Sequence, residues 1–162
     1  MLTEAEITRG AVGIKPKYPN DIVYNITLLG GFAFMNTATE QEKIVKGGKI
    51  INVRQGYTKC SICIVNENAI ITADTGIYRA ARENNIDALL ISPGNIDLHG
   101  MNYGFIGGAA GLIAPDTLSV NGDIAAHPDG ERITRFCSDR GVKIIALKSG
   151  KIRDIGSILP IY

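Results

Sequence analysis

Two cysteines and a lysine lie close together near the middle of the chain. Lys59, Cys60 and Cys63 belong to the stretch KCSICIVNENAIITAD, residues 59–74. Residues three apart in a strand point to opposite faces, so a strand would not let these two thiols share a metal ion or form a disulfide. One interpretation is therefore that both cysteines pack as small buried hydrophobes. The other is that Cys60, at a strand start, is a thiolate nucleophile assisted by Lys59.

Two histidines are candidates for the base that such a nucleophile needs. His99 precedes a glycine-rich stretch, and His127 directly precedes Pro128, at the predicted start of a helix. A pair of Cys60 with either histidine, His127 above all, would be the arrangement of a cysteine hydrolase. The alternative is a structural role, such as capping the helix. There is no second CxxC and no paired histidine motif, so the sequence predicts neither a metal site nor a cofactor.

Polar residues follow the second strand of each predicted hairpin, just before a helix. Asp74 has this position in the middle of the chain, and Asn121 and Asp123 have it further on. Aspartate and asparagine are favoured helix caps, which is sufficient to explain them. The alternative is that they bind a small cationic molecule where the repeated units meet. Asp154 and Ser157 stand at the matching place near the end of the chain, and Ser157 is a further candidate nucleophile.

The glycine-rich stretch from Gly104 to Gly111 also admits two interpretations. A phosphate-binding loop needs a helix directly after it and, in the P-loop, a Lys-Ser/Thr pair; here Leu112 and Ile113 follow and read as a strand. The stretch therefore favours close packing of backbone, where side chains would not fit.

The composition excludes several classes of partner. The 162 residues carry a net charge of +1, with no basic patch that would favour nucleic acid or an anionic membrane. No apolar run approaches the roughly 20 residues of a membrane helix, and the first residues lack the features of a signal peptide. Three cysteines, an odd number, do not suggest a disulfide framework. These features predict a cytoplasmic protein.

The remainder of the chain repeats one pattern of strand, strand, helix, strand. Strands are predicted to start near Tyr24, Ser61, Ala109 and Ser157, at intervals of roughly 40–50 residues, which is typical of modular or propeller-like folds. In the first unit, Thr39-Glu40-Gln41-Glu42 fits a capping box for a helix that ends at Gly47-Gly48. We expect about three units plus a closing strand within one domain, residues 22–162, after a poorly organised segment, residues 1–21.

Several stretches resemble a known fold family. The sequence is similar to an uncharacterised bacterial family of the pentein fold, an α/β propeller of ββαβ units shared by guanidino-group-modifying enzymes and translation initiation factor six. The stretches that carry the resemblance are YTKCSICIV (57–65), YGFIGGAAG (103–111), NGD (121–123) and DIGSI (154–158). The resemblance implies an α/β fold, a partial pentein-like propeller.

Two departures from that family bear on function. Enzymes of this fold have a nucleophilic cysteine near the chain end, where this sequence has Gly156-Ser157. They also place an acidic residue after a Gly-Gly pair, where Gly107-Gly108 is followed by Ala109. A complete pentein has five units, so the resemblance also implies self-association, a missing N-terminal segment that completes the ring, or a ring that stays open.

Two functions follow as hypotheses. The first is a protein that binds or modifies a small guanidino, amidino or amino-acid-like compound. Its nucleophile would be Cys60 or Ser157, its base His127, and its cation anchor one of Asp74, Asn121, Asp123 and Asp154. The second is a non-catalytic binding or assembly protein on the same scaffold. Whether the chain is an enzyme stays open on the sequence alone.

Overall fold

The computed structural model describes residue 10, residues 13–39, residue 45 and residues 47–160. Within these residues the protein is a mixed α/β structure with three three-stranded sheets and four α-helices. The α/β prediction is confirmed, and the repeated hairpin units are consistent with the predicted repeat.

The three sheets share one topology. The first two strands of each sheet pair antiparallel as a hairpin, and the third strand runs parallel to the second. The first sheet is formed by β1 (Thr27–Leu29), β2 (Phe32–Met35) and β3 (Lys49–Asn52). The helix predicted between β2 and β3 falls mostly on residues 40–44 and 46, outside the described residues.

The second unit shows the whole pattern. A four-residue helix, α1 (Thr58–Ser61), precedes β4 (Ile62–Asn66), β5 (Ala69–Thr72), α2 (Thr75–Glu83) and β6 (Asp87–Leu90). The third unit repeats it with α3 (Ile106–Ala109), β7 (Ala110–Ala114), β8 (Thr117–Val120), a 3-10 helix (Ile124–Ala126), α4 (Gly130–Ser138) and β9 (Lys143–Ala146).

Local sequence signals explain where these elements begin and end. The turn at Gly30-Gly31 has positive φ at both residues, which suits a tight hairpin. Asp74 caps α2, as predicted, and Asn85 follows that helix with a φ of 58°, the left-handed conformation common after a helix C-terminus. The predicted hairpins and the helices α2 and α4 are therefore confirmed.

Neighbouring units share their apolar cores. One cluster joins the first and second units and includes Phe34, Ile51, Ile70 and Ile77. A second cluster joins the second and third units and includes Ile71 and Leu118. Because each unit buries its apolar face against the next, the repeated units stabilise one another.

The strand starts predicted near Ser61 and Ala109 agree with the structure to within one residue, but the residues just before them form short helices and not strand. The run that begins at Cys60 starts as helix α1, and the glycine-rich stretch starts as helix α3, with the strands beginning only at Ile62 and Ala110. The first strand begins at Thr27 rather than near Tyr24. Four-residue helices are too short to show a helical period, so adjacent apolar residues made them read as strand.

Neither residues 13–21 nor residues 156–160, near the two ends of the chain, form a regular helix or strand. Residues 156–160 form no regular strand, so the predicted closing strand is wrong there; a single parallel bridge pairs Arg153 with Asp97 instead. In the N-terminal segment, the described residues 13–21 contain turns but no helix or strand.

Candidate functional site

A small cleft lies where the second and third units meet. Its volume is about 80 Å³. Its walls come from the end of β5, the loop after β6 and the start of α3. The residues that line it are Gln55, Ser61, Ala73, Asp74, Ser92, Pro93, Gly94, Asn95, Ile96, Tyr103, Gly104, Phe105 and Ile106.

Asp74 is the carboxylate among these residues. Its Oδ1 accepts a hydrogen bond from the backbone N–H of Ile77 at 2.8 Å, which caps α2. Its Oδ2 is 3.5 Å from Nε2 of Gln55, a long hydrogen bond. One carboxylate oxygen therefore holds the helix, while the other has only a weak contact and can accept from a ligand.

Ser61 brings an unpaired hydroxyl to the same cleft. Its side-chain oxygen is buried and has no hydrogen-bond partner among the described residues. Most buried polar groups in native proteins are paired, because an unpaired one costs about 1–3 kcal/mol. Ser61 and Asp74 both line the cleft, so a polar ligand there would have a hydroxyl and a carboxylate oxygen within the same lining.

Aromatic rings form one side of this region. Phe105 stacks against Tyr57 with 6.3 Å between ring centroids, and Tyr103 meets Phe105 edge-on at 6.3 Å. The Tyr57 hydroxyl donates to Oδ2 of Asp21 at 2.6 Å, and this hydrogen bond raises the pKa of Tyr57 to about 12. Tyr57 therefore stays neutral and fixes the ring against which Phe105 rests.

A second cluster lies where α1 meets the closing segment. Nζ of Lys59 donates to Oγ of Ser157 at 3.0 Å, and Oγ of Ser157 is 3.4 Å from the carbonyl oxygen of Gly107. Cys60 belongs to the same cluster, since its thiol contacts the carbonyl oxygen of Gly156 at 3.8 Å. The structure thus brings two of the predicted nucleophiles, Cys60 and Ser157, to one place.

The environment of Cys60 keeps its thiol protonated. Nδ2 of Asn25 donates to Sγ at 3.1 Å, and the backbone N–H of Cys60 donates to Oδ1 of Asn25 at 3.3 Å. Burial raises the pKa of the Cys60 thiol; the Asn25 hydrogen bond and the Lys59 charge lower it, and the Asp154 charge raises it further. Because the net pKa shift is upward, the structure does not support an activated thiolate at neutral pH.

Asp154, a predicted cation anchor, is buried and bonded to backbone. It accepts from the N–H of Phe105 at 2.9 Å and from the N–H of Gly156 at 2.9 Å. Asn121 donates from its side chain to the carbonyl oxygen of Arg153 at 2.9 Å. Both side chains therefore hold the closing segment against the third unit.

His127 lies apart from this cluster. Its side chain is buried between the 3-10 helix and α4, where Nδ1 accepts from the backbone N–H of Asp129 at 3.0 Å and Nε2 has no partner among the described residues. Burial lowers the pKa of His127, and the nearby Asp129 charge acts in the opposite direction. No hydrogen bond joins His127 to Cys60 or Ser157 in the described part of the chain.

Three further candidate residues from the sequence act as a helix cap or lie in the core. Asp123 is exposed and caps the 3-10 helix by accepting from the N–H of Ala125 at 2.9 Å. Cys63 and Cys137 are buried in the core, and burial raises their pKa values to about 12 and about 11. Over the described residues, no three His, Cys, Asp or Glu side chains cluster in a way that could hold a metal ion.

The sequence matches one protein family along nearly its whole length. Residues 2–159 fit the family of unknown function DUF6873. The chain belongs to this family. No curated protein and no solved structure matches it. Within the described residues, no helix has the length and apolar character required to cross a membrane.

Sequence reasoning missed several residues of the cleft. Ser61, Gln55 and Phe105 were not among the predicted site residues, nor was the contact between Lys59 and Ser157. One signal was available: an aromatic residue preceded by glycine stands before both α1 and α3, as Gly56-Tyr57 and Gly104-Phe105. That repeat marks the place where the two units meet.

Proposed function

We propose that the protein binds a small organic cation, such as a guanidinium or primary ammonium group, in the cleft between the second and third units. The proposal rests on the buried Ser61 hydroxyl, which has no hydrogen-bond partner among the described residues. The same cleft is lined by Asp74, whose Oδ2 makes only a long hydrogen bond to Gln55.

The chemistry of the lining favours a cation over an anion. A guanidinium or ammonium group carries only donors, and Asp74 Oδ2 and Ser61 Oγ can accept from it. The amide oxygen of Gln55 already accepts from the N–H of Tyr57 at 3.0 Å. A charge-assisted hydrogen bond to Asp74 would be the strongest contact. The rings of Phe105 and Tyr103 also favour a cation, because the face of an aromatic ring is electron-rich.

The size of the cleft limits what enters it. Pockets that enclose drug-sized ligands measure roughly 300–1,000 Å³, whereas this cleft measures about 80 Å³. It therefore suits a planar or tetrahedral head group of a few heavy atoms, with the rest of the molecule outside.

Binding is favoured over turnover in this cleft. The described residues that line it include serines but no cysteine, histidine or lysine, so the usual nitrogen base of a serine or cysteine nucleophile is missing from this lining. Chemistry on the guanidino group itself, the alternative raised by the sequence, would need such a pair within reach of the bound head group.

We also propose that the three units form an incomplete α/β propeller of the pentein type that self-associates. Two observations support this: the units share one strand order, and the first sheet leaves Leu28 65% and Ile50 44% exposed. A second copy that covers these residues would remove an exposed apolar surface. A mass measurement in solution tests it, and a monomer at all concentrations would contradict it.

The cation proposal is tested by a thermal-shift screen with guanidinium, agmatine, arginine and citrulline. Citrulline has the shape of arginine without the charge of the guanidinium, and both carry the same α-ammonium, so citrulline is the control for the guanidinium group. A ligand present at tenfold its Kd adds about 1.4 kcal/mol of stability, which raises Tm by roughly 3–6 °C for a chain of this size. We expect shifts with one or more of guanidinium, agmatine and arginine, and a smaller shift with citrulline than with arginine.

Two matched variants place the site. Asp74→Asn keeps a residue that caps helices well but removes the charge, and Asp123→Asn makes the same change at a cap outside the cleft. The Tm shift should disappear in Asp74→Asn and persist in Asp123→Asn. Equal shifts in both variants, or equal shifts with arginine and citrulline, would overturn the proposal.

A further inference from the structure

We propose that Ser157 and Lys59 form a nucleophile and base pair that cleaves small carboxylic esters. The inference goes beyond the cation cleft and does not depend on it. It starts from one contact: Nζ of Lys59 lies 3.0 Å from Oγ of Ser157, although the two residues are 98 positions apart in the chain. Serine paired with lysine is a recognised variant of the nucleophile and base arrangement.

Ser157 is held in place by backbone contacts on its N-terminal side. The buried carboxylate of Asp154 accepts from the N–H of Gly156, and the N–H of Ile155 donates to the carbonyl oxygen of Gly108 at 3.0 Å. Gly156 itself has a φ of 99°, a conformation that side chains disfavour, so the chain turns sharply just before the serine. A fixed turn of this kind presents the hydroxyl in a defined direction.

Lys59 is fixed by the helix that carries it. The hydroxyl of Thr58, the neighbouring residue, contacts the carbonyl oxygens of Asn25 at 2.8 Å and Phe34 at 2.9 Å, which anchors α1 to the first unit. Among the described residues no carboxylate forms an ion pair with Lys59, so Ser157 is its hydrogen-bond partner there. The amine is therefore aimed at the hydroxyl and not neutralised by an acid.

The surroundings allow a substrate to approach. Ser157 is half-buried, and the adjacent Gly156 and Ile155 are exposed. A Cβ at Gly156 would meet no atom within 4 Å apart from its chain neighbours, so the space at this turn is open. Cys60, next to the pair, remains a neutral thiol because burial raises its pKa, so it does not compete as a thiolate.

In the structure Lys59 donates to Oγ of Ser157 and the Ser157 hydroxyl donates to the carbonyl oxygen of Gly107 at 3.4 Å. In the chemical step the hydroxyl proton turns from Gly107 to Nζ of Lys59, which acts as the base. Oγ of Ser157 bonds to the carbonyl carbon of an ester while its proton passes to Nζ of Lys59. The bond from that carbon to the alcohol oxygen then breaks, and Lys59 returns the proton to the departing alcohol. Water attacks the acyl-serine by the same route, and the products are a carboxylic acid and an alcohol.

The first test uses a fluorophosphonate reagent, with the adduct located by peptide mass mapping. We expect one adduct, on Ser157. Lys59→Arg is the decisive variant, because arginine keeps the charge and the donated hydrogen bond but cannot act as a base. Ser157 should label at least tenfold more slowly in Lys59→Arg, and Lys59→Met should behave likewise.

Two further variants make the result unambiguous. Ser157→Ala should abolish the adduct, and Cys60→Ala should keep it, which separates serine from thiol labelling. Hydrolysis of p-nitrophenyl acetate, with a burst of one equivalent of nitrophenol, should follow the same pattern across the variants. No adduct on Ser157 in the folded wild type, or equal labelling rates in wild type and folded Lys59→Arg, would overturn the proposal.

Discussion

The Ser61 hydroxyl is buried without a hydrogen-bond partner among the described residues, and Ser61 lines the same cleft as Asp74. We expect Ser61→Ala to raise the free energy of unfolding by about 1 kcal/mol, because it removes an unsatisfied polar group. The same variant should bind the cation more weakly, since it loses an acceptor in the cleft. Urea denaturation without ligand measures the first effect, and the thermal-shift screen measures the second.

Ser119→Ala is the matched control for that prediction. The Ser119 hydroxyl is also buried, but it donates to the carbonyl oxygen of Gly111 at 2.9 Å. Its loss should lower the free energy of unfolding by about 1 kcal/mol. If the two variants lose stability equally, the Ser61 hydroxyl is paired and the cleft is a packing feature.

His127 predicts how stability depends on pH. Burial lowers its folded-state pKa below the usual 6.5, so below that pH the unfolded chain binds a proton that the folded protein does not. The free energy of unfolding should therefore fall as pH decreases from 6.5, with a slope of up to about 1.4 kcal/mol per pH unit. Urea denaturation between pH 7.5 and 5.5 measures this slope.

Two histidine variants locate the source of that slope. His127→Asn removes the titrating group and should flatten the curve in this range. His99→Asn removes the exposed histidine, keeps His127 and should retain the slope. The hydrogen bond from the N–H of Ser92 is the main cause that lowers the pKa of Asp129 to about 2 in the folded protein. Asp129 therefore stabilises the folded protein at pH values above the pKa of an unfolded aspartate. This effect is lost only as the pH falls toward 2, below the range of the experiment. An unchanged slope in His127→Asn would show that other groups cause it.

At the scale of elements, the two short helices α1 and α3 meet where the units join. Glycines in α3 permit this approach: a Cβ at Gly107 would overlap the backbone of Ile62, and a Cβ at Gly108 would overlap the carboxylate of Asp154. This is the close backbone packing that the glycine-rich stretch predicted. The phosphate-loop alternative lacks its structural requirement, because α3 has four residues and is followed by a strand.

Gly108→Ala tests that packing. We expect it to lower the free energy of unfolding by about 1–3 kcal/mol, since Asp154 must move and it anchors Phe105 and Gly156. Gly13→Ala is the control, because a Cβ there meets nothing within 4 Å. Chemical denaturation of both variants measures the effect, and equal stabilities would contradict the described contact.

The sequence predicts the helix caps but not the short helices, and the difference has a physical reason. Capping by Asp74 and Asp123 depends on residue type and immediate neighbours, so the sequence alone identified both caps. The short helices could not be predicted in the same way, since four residues do not complete a recognisable period. The contact of Lys59 with Ser157 depends on how distant units pack, and no local pattern encodes it.

For the whole molecule, the repeat was the most informative feature of the sequence. Each unit buries its apolar face on the next, so two shared cores form between three sheets. A site at the junction of two units is therefore formed by residues from separate parts of the chain. The cleft combines Asp74 after β5 with Phe105 before α3, and the ester-cleaving pair combines α1 with the closing segment.

The most direct test of the central claim is a calorimetric titration of agmatine into the wild type, Asp74→Asn and Asp123→Asn. We predict the same Kd for the wild type and Asp123→Asn. For Asp74→Asn we predict binding at least about tenfold weaker, a loss of about 1.4 kcal/mol, because the charge-assisted hydrogen bond is gone. Equal affinity in all three proteins, or no binding by the wild type at millimolar agmatine, would contradict a cation site at Asp74.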